Sequence, residues 1–175
     1  ATITAKAKNS GTKTTATITV TAPAFANYTW EEINALAKEI AKDNTITKDT
    51  DTVTKTINGK NYTATVGDKK TVTINEKDYI VRILGFNHDT LENGQTAYGD
   101  ASITKAGISF EFETLLPGAK MNASGYNTNG WGASLMRTNL NSTTAVDGMT
   151  NLSNIETAIG SNIIKSVTKS YIKTY

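Results

Sequence analysis

Few side chains in this sequence could do chemistry, and the pair His88-Asp89 is the first to weigh, since His88 is the only histidine. An imidazole beside a carboxylate offers a general base or a metal ligand. Adjacent residues, however, rarely orient a carboxylate onto the neighbouring imidazole, and no Ser or Cys motif marks a nucleophile. The plainer reading puts His88 in a loop, bonded to backbone at the end of a strand over 79–84, since ionisable clusters are only statistical markers of sites. Glu111 and Glu113 fall two apart in an alternating segment. That sets them on one strand face at roughly 7 Å, within the range of an inverting glycosidase pair. Alternating charge outside buried Phe110 and Phe112 is also what any amphipathic strand shows, and the structural role is expected. Asp43, Asn44, Asp49 and Asp51 could feed oxygens to calcium. Their segment lacks the central Gly and closing Glu of an EF-hand loop, so it reads as a solvated turn.

Two further groups suit recognition better than catalysis. Trp131, Ser134, Arg137 and Asn141 have helical spacing. Arg137 carries the planar fork used in bidentate recognition. Trp131 and Leu140 are expected in the core, with Arg137 holding a neighbouring loop or strand end. Tyr126, Asn127, Thr128 and Asn129 have the composition of an adaptable recognition loop, in which Tyr gives contact area and Asn gives hydrogen bonds. With Arg137 they form the candidate ligand-binding loop, and the polar stretch 87–100 is a second. No catalytic residue, cofactor-binding residue or metal ligand is assigned, and no cofactor is expected.

The elements that must position these groups follow from periodicity. Ile3, Ala5 and Ala7, then Ala16, Ile18 and Val20, alternate with Thr and Lys around Asn9-Ser10-Gly11. This is a β-hairpin with one apolar face. An isolated hairpin is marginal in water, so that face needs a partner. Ala22-Pro23-Ala24 marks a boundary, dividing the chain into 1–22 and 24–175. Thr29 with Glu32 forms a capping box, and Trp30, Ile33, Leu36, Ala37 and Ile40 share one helical face that ends near Lys42-Asp43-Asn44. Strands follow over 53–57, 62–66, 71–74 and 79–84, with Asn58-Gly59 the strongest hairpin signal and 79–84 a central strand. The stretch 108–113 alternates again, 131–141 reads as a short helix, and Leu152, Ile155, Ile159 and Ile163 suggest another. Residues 164–175 return to strand-like alternation. The fold class is α+β: a mixed or antiparallel sheet with two or three short helices, preceded by the hairpin. Trp30, Ile33, Ile83, Phe110, Phe112, Trp131 and Leu140 are expected to share one core.

Composition narrows the function classes. A formal charge of +2, with Lys interspersed among Asp and Glu, leaves no basic stripe for nucleic acid. No apolar run approaches a membrane span. The absence of cysteine removes disulfides, thiolate catalysis and zinc–thiolate sites. Threonine recurs at alternate positions (15, 17, 19, 21; 50, 52, 54, 56; 71, 73), where a β-branched hydroxyl suits the wet face of a strand.

Several pieces, in order, resemble an uncharacterised domain family of bacterial and prophage surface proteins. They are Trp30-Glu31-Glu32-Ile33, Val66-Gly67-Asp68-Lys69-Lys70-Thr71-Val72 and the run from Tyr79 to Asp89. Lys105-Ala106-Gly107-Ile108-Ser109-Phe110, Met121-Asn122 and Gly130-Trp131 with Ser134, Arg137, Leu140 and Asn141 complete the set. The first 22 residues resemble the closing hairpin of a bacterial immunoglobulin-like domain. The resemblance implies a non-enzymatic extracellular module on a bacterial cell surface or virion, adhesin-like or receptor-binding. Family members continue with further strands, and that longer form is similar to the C-type-lectin-like fold. Truncation at the C-terminus is therefore an expectation. An architectural subunit of a phage tail, capsid or fibre, held by inter-chain β pairing, is the alternative, and a glycan-processing enzyme the remote one. The expected partners are a protein or glycan ligand and other copies or missing segments of the same polypeptide. Neither nucleic acid nor membrane insertion is expected.

Overall fold

The computed structural model describes residues 2–6, 13–17, 23–92, 97–116, 120–123 and 130–169. Strand β1 (Thr2–Lys6) pairs antiparallel with β2 (Lys13–Thr17), with Ile3 opposite Ala16. After a 3-10 turn at Phe25–Asn27 comes α1 (Trp30–Ala41). Its start is fixed by the capping box: the Glu32 amide donates to Thr29 Oγ1 at 3.1 Å, and the Thr29 amide donates to Glu32 Oε2 at 2.9 Å. Its apolar stripe, Ile33, Leu36, Ala37 and Ile40, is buried.

Strands β3 (Thr52–Ile57) and β4 (Lys60–Thr65) form a hairpin. Its turn residues, Asn58 and Gly59, both take the positive φ that a two-residue hairpin turn of this kind requires. Alternate threonines face outward, and Thr54 and Thr63 share a hydroxyl hydrogen bond of 2.9 Å across the pair. Strand β5 (Lys69–Ile74) turns through Asn75-Glu76 into β6 (Lys77–Leu91), which pairs with β7 (Lys105–Phe112). Helices α2 (Leu135–Leu140) and α3 (Leu152–Ile159) follow, then the short β8 (Val167–Thr168), which pairs with Thr90 and Leu91 of β6. Because Arg82 is partnered by both Lys69 and Glu111, and Thr90 by both Lys105 and Thr168, β7 lines one edge of β6. Strands β5 and β8 share the other. The fold is α+β, with antiparallel sheets and three α-helices among the described residues.

Strand β6 is central, as expected, but reaches far past residue 84. Residues 87–91, expected in a loop, belong to it. Asn87 sits at φ +46° where the register with β7 slips between Phe86 and Asp89. That bulge breaks the alternation that would have revealed the strand. The core forms where α1 lies on the sheet. Phe86, Ile83, Leu36, Ile40 and Tyr28 are fully buried, and Trp30 packs edge-on against Phe110. Closest approach is at Gly107, where a β-carbon would fall 1.8 Å from the Ala37 carbonyl oxygen, so only glycine lets α1 lie this near β7.

The expected single core needs correction. Trp30, Ile33, Ile83 and Phe110 pack together as expected, but Phe112 packs on a second cluster around Val72 and Tyr79 that Trp30 and Phe110 also border. Trp131 is 39% exposed, Leu140 is half-buried, and α2 buries none of its residues. Helical spacing placed Trp131 and Leu140 on one face, but Trp131 lies in a separate 3-10 turn (Trp131–Ala133) ahead of α2. The two residues therefore do not share one continuous helical face.

Candidate functional site

A polar cluster around the buried Asp89 lies on the bulge of β6. The β8 register, Thr168 opposite Thr90, brings Lys169 beside Asp89 one step further on. The ammonium of Lys169 bonds to Asp89 Oδ1. His88 Nδ1 lies 2.9 Å from the same oxygen, and Ser109 Oγ donates to Asp89 Oδ2 at 2.6 Å. Asp89 and Ser109 are each only 8% exposed. Burial pushes the Asp89 carboxyl up. Hydrogen bonds from Lys169, Ser109 and His88 more than offset this and hold it at about 2.

His88 therefore differs from its expected setting. It lies within a strand and meets its neighbour's carboxylate rather than backbone, because the bulge turns residues 88 and 89 out of simple alternation. The order of the groups matters chemically. Ser109 bonds the carboxylate and not the imidazole, so the imidazole is not placed to take its proton. A carboxylate held this acidic is a poor base. The cluster orients and neutralises charge.

Beside it lies a cavity of about 390 Å³. Trp30, Ile33, Asn34 and Ala37 of α1 line one wall, and Leu152, Ile155 and Ile159 of α3 line another at helical spacing. Val72, Val81, Ile108, Phe110 and Phe112 come from the sheet, and Ile163, Ile164 and Lys165 from the chain after α3. Asp89, Ser109 and Lys169 all border it, although Ser109 and Asp89 are nearly buried. Helix α3 is amphipathic, yet none of its residues is fully buried. Its Ile155, Ala158 and Ile159 pack against the buried Val72, Ile74, Tyr79 and Val81, and Leu152, Ile155 and Ile159 also border this space. Asn34 Oδ1 is buried with no hydrogen-bond partner among the described residues.

The other candidates separate. Glu111 is held by Arg82 (Nε to Oε1, 2.7 Å) and Glu113 by Lys69, so each carboxylate has its own cation. Asp43 accepts from Lys55 Nζ at 2.5 Å and from the amide and hydroxyl of Thr45, and these partners hold its carboxyl well below the usual range. Among the described residues no three His, Asp or Glu side chains converge. Ser134 caps α2, accepting from the Arg137 amide at 3.1 Å, while the Arg137 guanidinium donates to Gly132 O at 3.4 Å, within its own preceding turn. Tyr126, Asn127, Thr128 and Asn129 lie outside the described residues.

Several structural residues escaped the sequence reading. Asn87 donates through Nδ2 to the carbonyls of Ile40 (3.1 Å), in the last turn of α1, and Ile46 (2.9 Å), in the segment after it, fastening both to β6. Asn151 caps α3 and donates to the carbonyls of Asn139 (3.2 Å) and Thr144 (2.7 Å), tying the two short helices together. Asn at an N-cap three residues before Asn154 is a legible signal. The partnership of Asp89 with Ser109 and Lys169, 20 and 80 positions away, has no local signal. Comparison with family models, curated proteins and solved structures finds no match to this chain.

Proposed function

We propose that the chain is a binding module that acts without chemistry, displayed outside the cell on a bacterial surface or a virion. The observation that carries the binding part is the cavity of about 390 Å³ bordered by α1, the sheet and α3. Cavities of roughly 300–1,000 Å³ with apolar walls and a few converging polar groups are the usual form of small-ligand sites. The Asp89–Ser109–Lys169 cluster supplies those polar groups at one border. Extracellular display rests on the Thr-rich, Cys-free strands and the resemblance to surface-protein domains. An adhesin-like or receptor-binding role, with a protein or glycan held at 126–129 and Arg137, belongs to the same reading. The test is titration with a neutral, environment-sensitive apolar fluorophore. Saturable enhancement that is lost in Ile159→Trp, with circular dichroism unchanged, supports the reading; no enhancement, or none that depends on Ile159, contradicts it.

A second reading is architectural, a tail, capsid or fibre subunit joined by inter-chain β pairing. It is favoured by the two-stranded sheets β1–β2 and β3–β4, whose outer edges carry no further strand among the described residues. Other copies, or further segments of the same polypeptide, would then add strands at those edges.

A further inference from the structure

Three charged side chains border the cavity: Asp89, Lys165 and Lys169. Asp89 and Lys169 neutralise one another. Lys165 makes no ion pair among the described residues. Its ammonium donates to the Asn162 carbonyl and lies 5.2 Å from the centroid of the Tyr98 ring. Burial without an acid partner pushes the Lys165 ammonium down from its ordinary range. An incoming anion would relieve that cost. An incoming cation would first have to displace Lys169 from Asp89.

The walls decide the rest of the ligand. Leu152, Ile155 and Ile159 face the sheet from α3, and Ile163 and Ile164 extend that apolar strip to Lys165. A sugar ring would leave its hydroxyls without partners along such a strip, at a cost for each. An alkyl chain would not. The volume of about 390 Å³ lies within the roughly 300–1,000 Å³ range of small-ligand sites.

We propose that this cavity binds an unbranched medium-chain alkyl carboxylate, its chain between the apolar faces of α1 and α3 and its head group paired with Lys165. The assignment rests on reading the cavity as a ligand site and adds the chemistry of the ligand.

The experiment compares dodecanoate, dodecanol and dodecylammonium, each below its aggregation concentration, by calorimetric titration of the full chain. The three share one chain and differ only in head group. Dodecanoate should bind roughly tenfold or more tightly than dodecanol, as a charge-assisted hydrogen bond implies. Lys165→Met should bring the carboxylate-to-alcohol affinity ratio close to one, and Lys165→Gln repeats the test should the Met variant fold poorly. Equal binding of carboxylate and alcohol to the native chain, or tighter binding of dodecylammonium, overturns the head-group assignment and leaves the cavity reading standing. If none of the three binds, both fall together.

Discussion

At the scale of single residues, Asp89 joins strands through its carboxylate. Its carboxylate ties β6 to β7 through Ser109 and to the chain after β8 through Lys169. Its folded pKa of about 2 lies below the ordinary value of 3.8. A depressed carboxyl contributes stability above its unfolded pKa and loses it as pH falls through the folded one. The contribution is about 2 kcal/mol, complete above about pH 4 and gone below about pH 2. Asp89→Asn should therefore lose about 1–3 kcal/mol in urea unfolding at pH 7. The gap to the native chain should close between about pH 4 and pH 2. A gap independent of pH would place the loss in packing rather than in charge. Phe86 and Trp131 test the corrected core. Phe86→Ala, at a fully buried position, should cost roughly 3–5 kcal/mol, and Trp131→Ala less than about 1 kcal/mol. Equal costs would restore Trp131 to the core.

At the scale of elements, legibility follows how local the cause is. The start of α1 was readable because the capping box lies within four residues, and the β3–β4 turn because Asn58-Gly59 encodes its own backbone geometry. The continuation of β6 was not, because a bulge erases the period of two just where polar residues begin. The threonine alternation correctly marked the exposed face of β3. Alternation in 79–84 was masked by composition: Ile80 and Leu84 are apolar yet 42% exposed, so the run looked continuously buried. Two substitutions test the packing of elements. Gly107→Ala puts a methyl group into the Ala37 carbonyl and should cost about 3 kcal/mol by forcing α1 off β7. Asn87→Ala removes a donor to the Ile40 carbonyl, which keeps the Asp43 amide at 3.0 Å, and to the Ile46 carbonyl in the segment after α1, and should cost about 1–3 kcal/mol. Hydrogen exchange should locate the second loss in the last turn of α1 and the segment after it; uniform loosening would contradict that fastening role.

At the scale of the whole molecule, the candidate site is assembled from segments distant in sequence: α1, the sheet, α3 and the residues after it. Nothing local announces a cavity, and for this reason the sequence pointed to loops while the structure points to the space beneath α3. Residues 164–175 were expected to alternate like a strand. Their described part pairs with β6 through β8, and Val167 packs beside Leu91 and Ile103. The sequence of the first 22 residues carries the apolar residues Ile3, Ile18 and Val20. On the architectural reading, sedimentation of the full chain should show association that rises with concentration and weakens in Ile3→Lys. Identical behaviour of the two proteins would remove the hairpin from any assembly. The proposed binding site itself is tested most directly by isoleucine methyl NMR during titration with dodecanol. The methyl groups of Ile155, Ile159, Ile163 and Ile164 should shift together and saturate, while those of Ile57 and Ile80 stay in place. Shifts confined to the exposed Ile80, or none at saturating alcohol, would contradict a ligand site between α1 and α3.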